Sequence, residues 1–252
     1  MKTLRLACLS VVFIMFAAGV LQAQTPEEIT VVFFYGGYPP FYMEGLEDGM
    51  FVDFINAFDE QSDQFSIVLE GLSRKRLDRA MKTGDAQASS LTNPMFVGEE
   101  QAANSLFSDP LWTTGNYIVM NSRNVFDYSG PEALFGKTLG VIYGNRNATF
   151  DPHIEAGDIK ALPARTNQGL YEALQNRKVD AILMNNHVFL YELKQAGIDA
   201  AQFEFSETPV FEFELVTQIQ KSHPHFQEAF NAFIAQSKEN GFLDELMKKY
   251  VQ

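Results

Sequence analysis

Apolar and polar positions change rhythm repeatedly along this chain, and the changes mark out its elements. Ile29-Thr30-Val31-Val32-Phe33-Phe34 is β-branched and aromatic and runs into Gly36-Gly37, which predicts a buried strand ending in a turn. Phe51, Phe54, Ile55 and Phe58 then recur at i, i+3, i+4 and i+7, predicting a helix with one apolar face. Residues 66–69 predict a second strand, and residues 72–82 a second helix that stops before Gly84. The same rhythm returns with different contents: a strand over 137–143, a helix start at Asn147, a helix over 166–177, a strand over 179–184 and a helix over 187–195. A strand over 212–219 follows, then two helices carrying Phe226, Phe230, Phe233 and Ile234, and, after Gly241, Leu243, Leu246 and Tyr250. Two α/β units with no linker between them predict an α/β protein of two lobes that share crossing segments.

The first residues fall outside that rhythm. Lys2 and Arg5 precede an uncharged apolar run over residues 6–20, and Leu21-Gln22-Ala23 leads into polar Gln24-Thr25-Pro26. That layout predicts a cleavable export signal cut after Ala23. The competing reading is an uncleaved anchor, but a run of about 15 residues falls short of the roughly 20 a spanning helix needs. Cys8, the single cysteine, lies inside this segment, so neither a disulfide nor a lipid anchor is expected in the exported protein.

The formal net charge is −13, and removal of Lys2 and Arg5 makes it more negative still. This excludes nucleic acid and anionic membrane surfaces as partners, since both require basic patches. His153, His187, His223 and His225 show no metal or catalytic-triad spacing. The segment from Gly130 to Thr138 is not a phosphate loop, because five residues separate Gly130 from Gly136 where that motif needs four. No cofactor is expected.

Five short segments occur in order: Tyr38-Pro39-Pro40-Phe41, Gly49-Met50-Phe51-Val52-Asp53-Phe54, Phe107-Ser108-Asp109-Pro110, Leu134-Phe135-Gly136-Lys137-Thr138-Leu139-Gly140-Val141 and Val179-Asp180-Ala181-Ile182-Leu183-Met184-Asn185. In order and spacing they resemble the family 3 extracellular solute-binding proteins, the periplasmic receptors of polar amino-acid ABC transporters. The resemblance covers nearly all of the chain after the signal. It implies a two-lobed, type II periplasmic binding fold, with residues 24–118 plus 214–252 forming one lobe and 119–213 the other. Tyr117 to Met120 and Glu214 to Ile219 would be the two strands crossing the hinge, with a ligand in the cleft between the lobes.

The resemblance also implies where that ligand would be held. Tyr38 and Phe41 stand where the family places aromatic residues over its ligand; prolines hold such a loop extended, and at least one of the two rings is expected to face the cleft rather than the core. Arg74, Lys75, Arg76 and Arg79 are clustered on the second helix, and Arg76 matches an arginine that reaches the cleft in one branch of the family. Amino-acid-binding members carry an arginine shortly before Phe-Ser-Asp-Pro that grips the ligand carboxylate. Here no lysine or arginine occurs between Thr83 and Ser122, and the aligned residue is Gln101. The aspartate that binds the ligand ammonium is replaced by Asn185, a neutral amide that no longer demands a charged partner. Ordinary α-amino acids are therefore expected to bind poorly. Arg146, in Gly144-Asn145-Arg146-Asn147, either supplies the missing positive charge or points to solvent beside a capping asparagine.

The reading is a monomeric periplasmic protein that captures a small polar solute and delivers it to an inner-membrane ABC permease. Two alternatives stand beside it. One is an orphan or sensory module acting on a signalling partner. The other is an enzyme on the same fold, for which Glu44, Glu99 and Glu100 are the nearby acids.

Overall fold

The computed structural model describes residues 25–143 and 147–251. The predicted export signal and Arg146 lie outside these residues.

The chain begins with β1 (Glu27–Phe34), α1 (Met50–Gln61), β2 (Phe65–Leu72), α2 (Arg74–Thr83) and β3 (Ala88–Thr92). The short elements α3 (Glu99–Ala103) and β4 (Ser105–Phe107) lead into the long strand β5 (Trp112–Asn121). Next come β6 (Thr138–Ile142), α4 (Asp151–Ala156), β7 (Lys160–Ala164), α5 (Asn167–Gln175), β8 (Ala181–Asn185) and α6 (Asn186–Ala196). The chain returns through β9 (Phe203–Phe205) and β10 (Phe211–Gln220) and finishes with α7 (Pro224–Glu239) and α8 (Phe242–Tyr250). Among the described residues no helix is long and apolar enough to cross a membrane.

One mixed sheet runs through the molecule in the order β2-β1-β3-β10-β5-β8-β6-β7. β1 is parallel to β2 and β3, and β6 is parallel to β7 and β8. These parallel sets are joined by β10 and β5, ten residues each, which pair antiparallel with Phe211 opposite Asn116 and Leu215 opposite Trp112. The alternation of β1 explains how it is covered. Val31 and Phe33 belong to the core under α1, α7 and α8, while Val32 points the other way, onto Leu77 and Met81 of α2. Beyond the paired strands the core is separate, built from Val119, Leu170, Leu174, Ile182 and Phe189 on one side and Ile118, Leu139 and Phe150 on the other.

Phenylalanine dominates the first core. Phe54 and Phe58 of α1 meet Phe226, Phe230 and Phe233 of α7 through tilted and edge-to-face contacts, the arrangement favoured by the ring quadrupole. Local signals set the boundaries. Gly84 ends α2 in the left-handed conformation, and Thr166 opens α5 by accepting from the Gly169 amide at 3.1 Å. The helix start predicted at Asn147 is instead a turn: the Asn147 side chain accepts from the Thr149 and Phe150 amides, and α4 begins only at Asp151.

The last helix is tied to the first. The Tyr250 hydroxyl donates to the Asp48 carboxylate, lies 2.9 Å from Asp53 Oδ2 and accepts from the Gly49 amide at 3.1 Å. Burial, with the neighbouring carboxylates, pushes the phenol up to about 12, so it remains a donor across the physiological range. Hydrogen bonds to charged groups contribute about 1.5–3 kcal/mol, so Tyr250→Phe should lower stability by that amount in urea unfolding followed by circular dichroism. A loss under about 0.5 kcal/mol, the range of ordinary surface substitutions, would show that these bonds do not hold α8 in place.

A second tie joins the two cores. Leu190 and Tyr191 of α6 pack against the first core, the Tyr191 hydroxyl is 3.5 Å from Met43 Sδ, and Lys194 Nζ donates to the carbonyls of Lys249 at 2.9 Å and Lys248 at 3.3 Å. Lys194 thereby caps the carboxyl end of α8, where free carbonyls and the helix dipole favour a cation.

Candidate functional site

β1 and β3 are parallel, and both end at one edge of the sheet, beside the β5–β10 crossing. A cavity of about 660 Å³ opens there. Its walls come from Phe34 at the end of β1, Tyr38 and Tyr42 in the following loop, and Arg74, Leu77 and Asp78 of α2. Ser89 to Thr92 of β3, the segment Phe96-Val97-Gly98, Gln101 of α3 and three residues of β10, Phe213, Leu215 and Gln218, complete it. Aromatic rings thus face hydroxyls, amides and two charges, the mixture expected of a pocket for a small polar molecule.

The loop after β1 is held by its own backbone. Tyr38 and Tyr42 form a bridge in which the Tyr38 amide donates to the Tyr42 carbonyl at 2.8 Å, and the Pro39–Pro40 bond within it is cis. Gly49 locks the loop onto α1. Its φ is 135°, and a Cβ there would sit 2.5 Å from the Phe41 carbonyl oxygen, so only glycine fits.

Burial pushes the Tyr38 phenol up to about 12, tempered by the Thr114 hydroxyl. It also raises Tyr42, tempered by Ser90 and Arg74. Both phenols therefore meet the cavity protonated and able to donate. The Arg74 guanidinium lies 5.2 Å from the centroid of the Phe34 ring. Phe96, 58 % exposed, meets Phe213 edge-on at 5.1 Å and makes an aromatic rim.

The structure separates the residues singled out from the sequence. Tyr38 and Gln101 line the cavity. Phe41 does not: it is 0 % exposed, with its ring 5.9 Å from Trp112 and edge-on to His187 at 5.8 Å, so the second aromatic wall is Tyr42. Arg76 does not either. It lies with Glu70, Arg79 and Asp85 in a separate groove, because two residues along a helix turn the side chain through about 200°. The arginine that faces the cavity is Arg74.

Asn185 is not among the residues lining this cavity. Its Oδ1 accepts from the Val188 amide at 3.2 Å as the cap of α6, and its Nδ2 donates to Thr114 Oγ1 at 2.9 Å. Thr114 is the centre of this cluster: it donates to Asn186 Oδ1 at 3.1 Å and lies 3.2 Å from His187 Nδ1. Arg146 falls outside the described residues.

Sequence reasoning passed over Ser89, Ser90 and Thr92, because a strand of alanine and serine carries no apolar run. It also passed over Phe213 and Gln218, which were read only as part of a crossing strand. The available signal for Arg74 was the helical wheel, since Leu77 and Met81 are the buried stripe of α2 and Arg74 and Asp78 flank it on one side. Among the described residues no group of three histidine, cysteine, aspartate or glutamate side chains is placed to hold a metal ion.

The sequence over residues 30–252 matches the family model of bacterial extracellular solute-binding proteins, family 3. No curated protein matches it. Among solved structures, the second substrate-binding domain of Lactococcus lactis GlnP, in an open conformation, is similar with a TM-score of 0.70 at 19 % identity, over 90 % of this chain and 97 % of that one. A polar amino acid ABC uptake transporter substrate-binding protein from Streptococcus thermophilus gives a TM-score of 0.73 at 16 % identity, over 89 % of this chain and 86 % of that one. An ancestral cationic amino acid solute-binding protein gives 0.67 at 19 % identity, over 89 % and 96 %. At these identities the likeness is one of fold: the two-lobed, type II periplasmic binding architecture.

Proposed function

We propose, for a chain that belongs to family 3 of the bacterial extracellular solute-binding proteins, that it captures a small polar solute in the cavity beside the β5–β10 crossing and delivers it to an ABC permease. The observation that carries this reading is the cavity itself: about 660 Å³, walled by tyrosines, hydroxyls and amides at the carboxyl ends of β1 and β3. Capture would follow from rotation about β5 and β10, with the solute favouring the closed arrangement by its differential affinity for it.

A thermal-shift panel of amino acids, amines, carboxylates, sugars and short peptides tests capture. A solute that binds only the folded state raises stability by about 2.7 kcal/mol at one hundred times its Kd. Tyr38→Ala should weaken the selective hit about tenfold or more, since removing a buried aromatic anchor costs at least 1–2 kcal/mol. An unchanged Kd in that variant would place the solute elsewhere, and silence across the panel would overturn solute capture. Delivery is tested separately: deleting the protein from its cell should abolish uptake of the hit solute, and undiminished uptake would reject a transport role.

A further inference from the structure

Three phenylalanine rings meet at the rim of the cavity and stay open to solvent. Phe96 stands edge-on to Phe213 at 5.1 Å and to Phe211 at 6.3 Å, and Phe211 and Phe213, two residues apart on β10, lie 5.5 Å from each other. Phe96 is 58 % exposed, Phe211 37 %, and Met95, the residue before Phe96, 60 %. Exposed apolar groups in mutual contact mark a surface that something else covers.

The rings are held in place by a polar side chain. Asn93 opens the turn Pro94–Phe96: its Oδ1 accepts from the Met95 amide at 3.1 Å, and its Nδ2 donates to the Glu214 carbonyl of β10 at 2.8 Å. Asn93 thus fixes the segment that carries Phe96 to the strand that carries Phe211 and Phe213. A surface ordered in advance gives up less entropy when it is covered.

Phe96 and Phe213 belong to the cavity wall, and that wall changes character along β10. Thr92 of β3 pairs with Val216, and Ser89 with Gln218, so the polar stretch begins three residues along from Phe213, roughly 10 Å of strand. A wholly polar molecule would leave the aromatic end uncovered. A wholly apolar one would dehydrate the hydroxyls and amides without replacing their hydrogen bonds.

Resting on the solute-binding reading above, we infer that Phe96 and Phe213 form a subsite for the apolar end of the solute, which is amphipathic. Its polar head meets the hydroxyls and amides of β3 and β10, and a flat ring lies against the two phenylalanines. Such a ring gains both from leaving water and from edge-to-face contact.

Three pairs of probes test this by titration calorimetry on the whole exported protein: phenylpropionate with propionate, phenylethylamine with ethylamine, and phenylpropionamide with propionamide. The heads are anionic, cationic and neutral, and the members of each pair differ only in the ring. In the pair whose head the polar stretch accepts, the ring-bearing member should bind about tenfold or more tighter. Phe96→Ala should weaken that member about fivefold or more and leave its ring-free counterpart unchanged. Phe96 is mostly exposed, so the variant should keep the parent's circular dichroism spectrum.

Ring-free members binding as tightly as their counterparts, or ring-bearing probes binding Phe96→Ala and the parent alike, would overturn the inference. An unchanged Kd with uptake of the solute abolished in that variant would overturn it too, and turn the rings toward a protein partner. If none of the six probes binds while another solute of the broad panel does, the aromatic subsite falls and solute capture stands. If that panel is silent as well, both fall together.

Discussion

Phe54→Ala should cost about 3–5 kcal/mol, the range for truncating a fully buried phenylalanine. Phe54 is 0 % exposed, and its ring touches every layer of the first core. It stands 5.0 Å from Phe233 and 5.7 Å from Phe230 on α7, 6.4 Å from Phe242 on α8 and 6.3 Å from Trp112 on β5. Truncation removes transfer energy and leaves a void bounded by these four rings and that of Phe51, which can collapse only if two helices and a strand move together. Against a total stability of about 5–15 kcal/mol for a typical domain, that is at least about a fifth of the reserve. Urea unfolding should show the midpoint falling at unchanged slope, because the surface exposed on unfolding is nearly the same. A loss below about 1 kcal/mol would mean that the ring cluster closes over the gap and that α1 is not anchored by it.

A loss on the order of 3 kcal/mol is expected from acid alone, through His187. The ring is 8 % exposed, near the Thr114 hydroxyl and the Phe41 edge, and burial lowers its pKa from 6.5 to about 4. In the unfolded chain it takes up a proton near pH 6.5, while in the folded protein it resists until about pH 4. The unfolded state therefore binds more protons in this window. The contribution is complete above about pH 6.5, declines as pH falls and is fully lost near pH 4. Measuring unfolding free energy from pH 4 to 8 for the parent and for His187→Gln cancels the carboxylates common to both. The parent should lose ground against the variant below pH 6.5 and run parallel above it. Parallel curves throughout would show that the buried imidazole does not resist protonation.

Both residues were visible in the sequence, but to different degrees. Phe54 announced itself through the period of α1, because a helix that packs on one side repeats its apolar residues every three or four positions. His187 did not: a lone histidine at a helix start has no pattern, and its burial comes from Thr114, far away along the chain. The same division runs through the site. Tyr38 was legible because its prolines restrict the loop, yet nothing local said that Phe41 would be sealed in the core while Tyr42, also buried, borders the cavity beside the backbone bond from the Phe51 amide to the Phe41 carbonyl at 2.7 Å. Resemblance pointed to Arg76, whereas helix phase, fixed by Leu77 and Met81 against Val32, sets Arg74 on the wall of this cavity. β3 was missed because its serines are buried between β1 and β10, where strand pairing rather than apolar content keeps them extended. β7 was missed for a related reason: it is an edge strand, mostly exposed and interrupted by Pro163.

The seam made by Leu190, Tyr191 and Lys194 joins α6 to the first core and to the end of α8, whereas the cavity lies at the carboxyl ends of β1 and β3 and draws on both faces of the sheet. Were the second half of the protein to swing over the cavity, as the capture proposed above requires, these contacts would have to shift with it, and the bonds from Lys194 to the end of α8 would weigh against the solute's pull. Apparent affinity would then be the intrinsic affinity of the cavity multiplied by the fraction of molecules free to close, so grip and release would be tuned by residues that no solute touches.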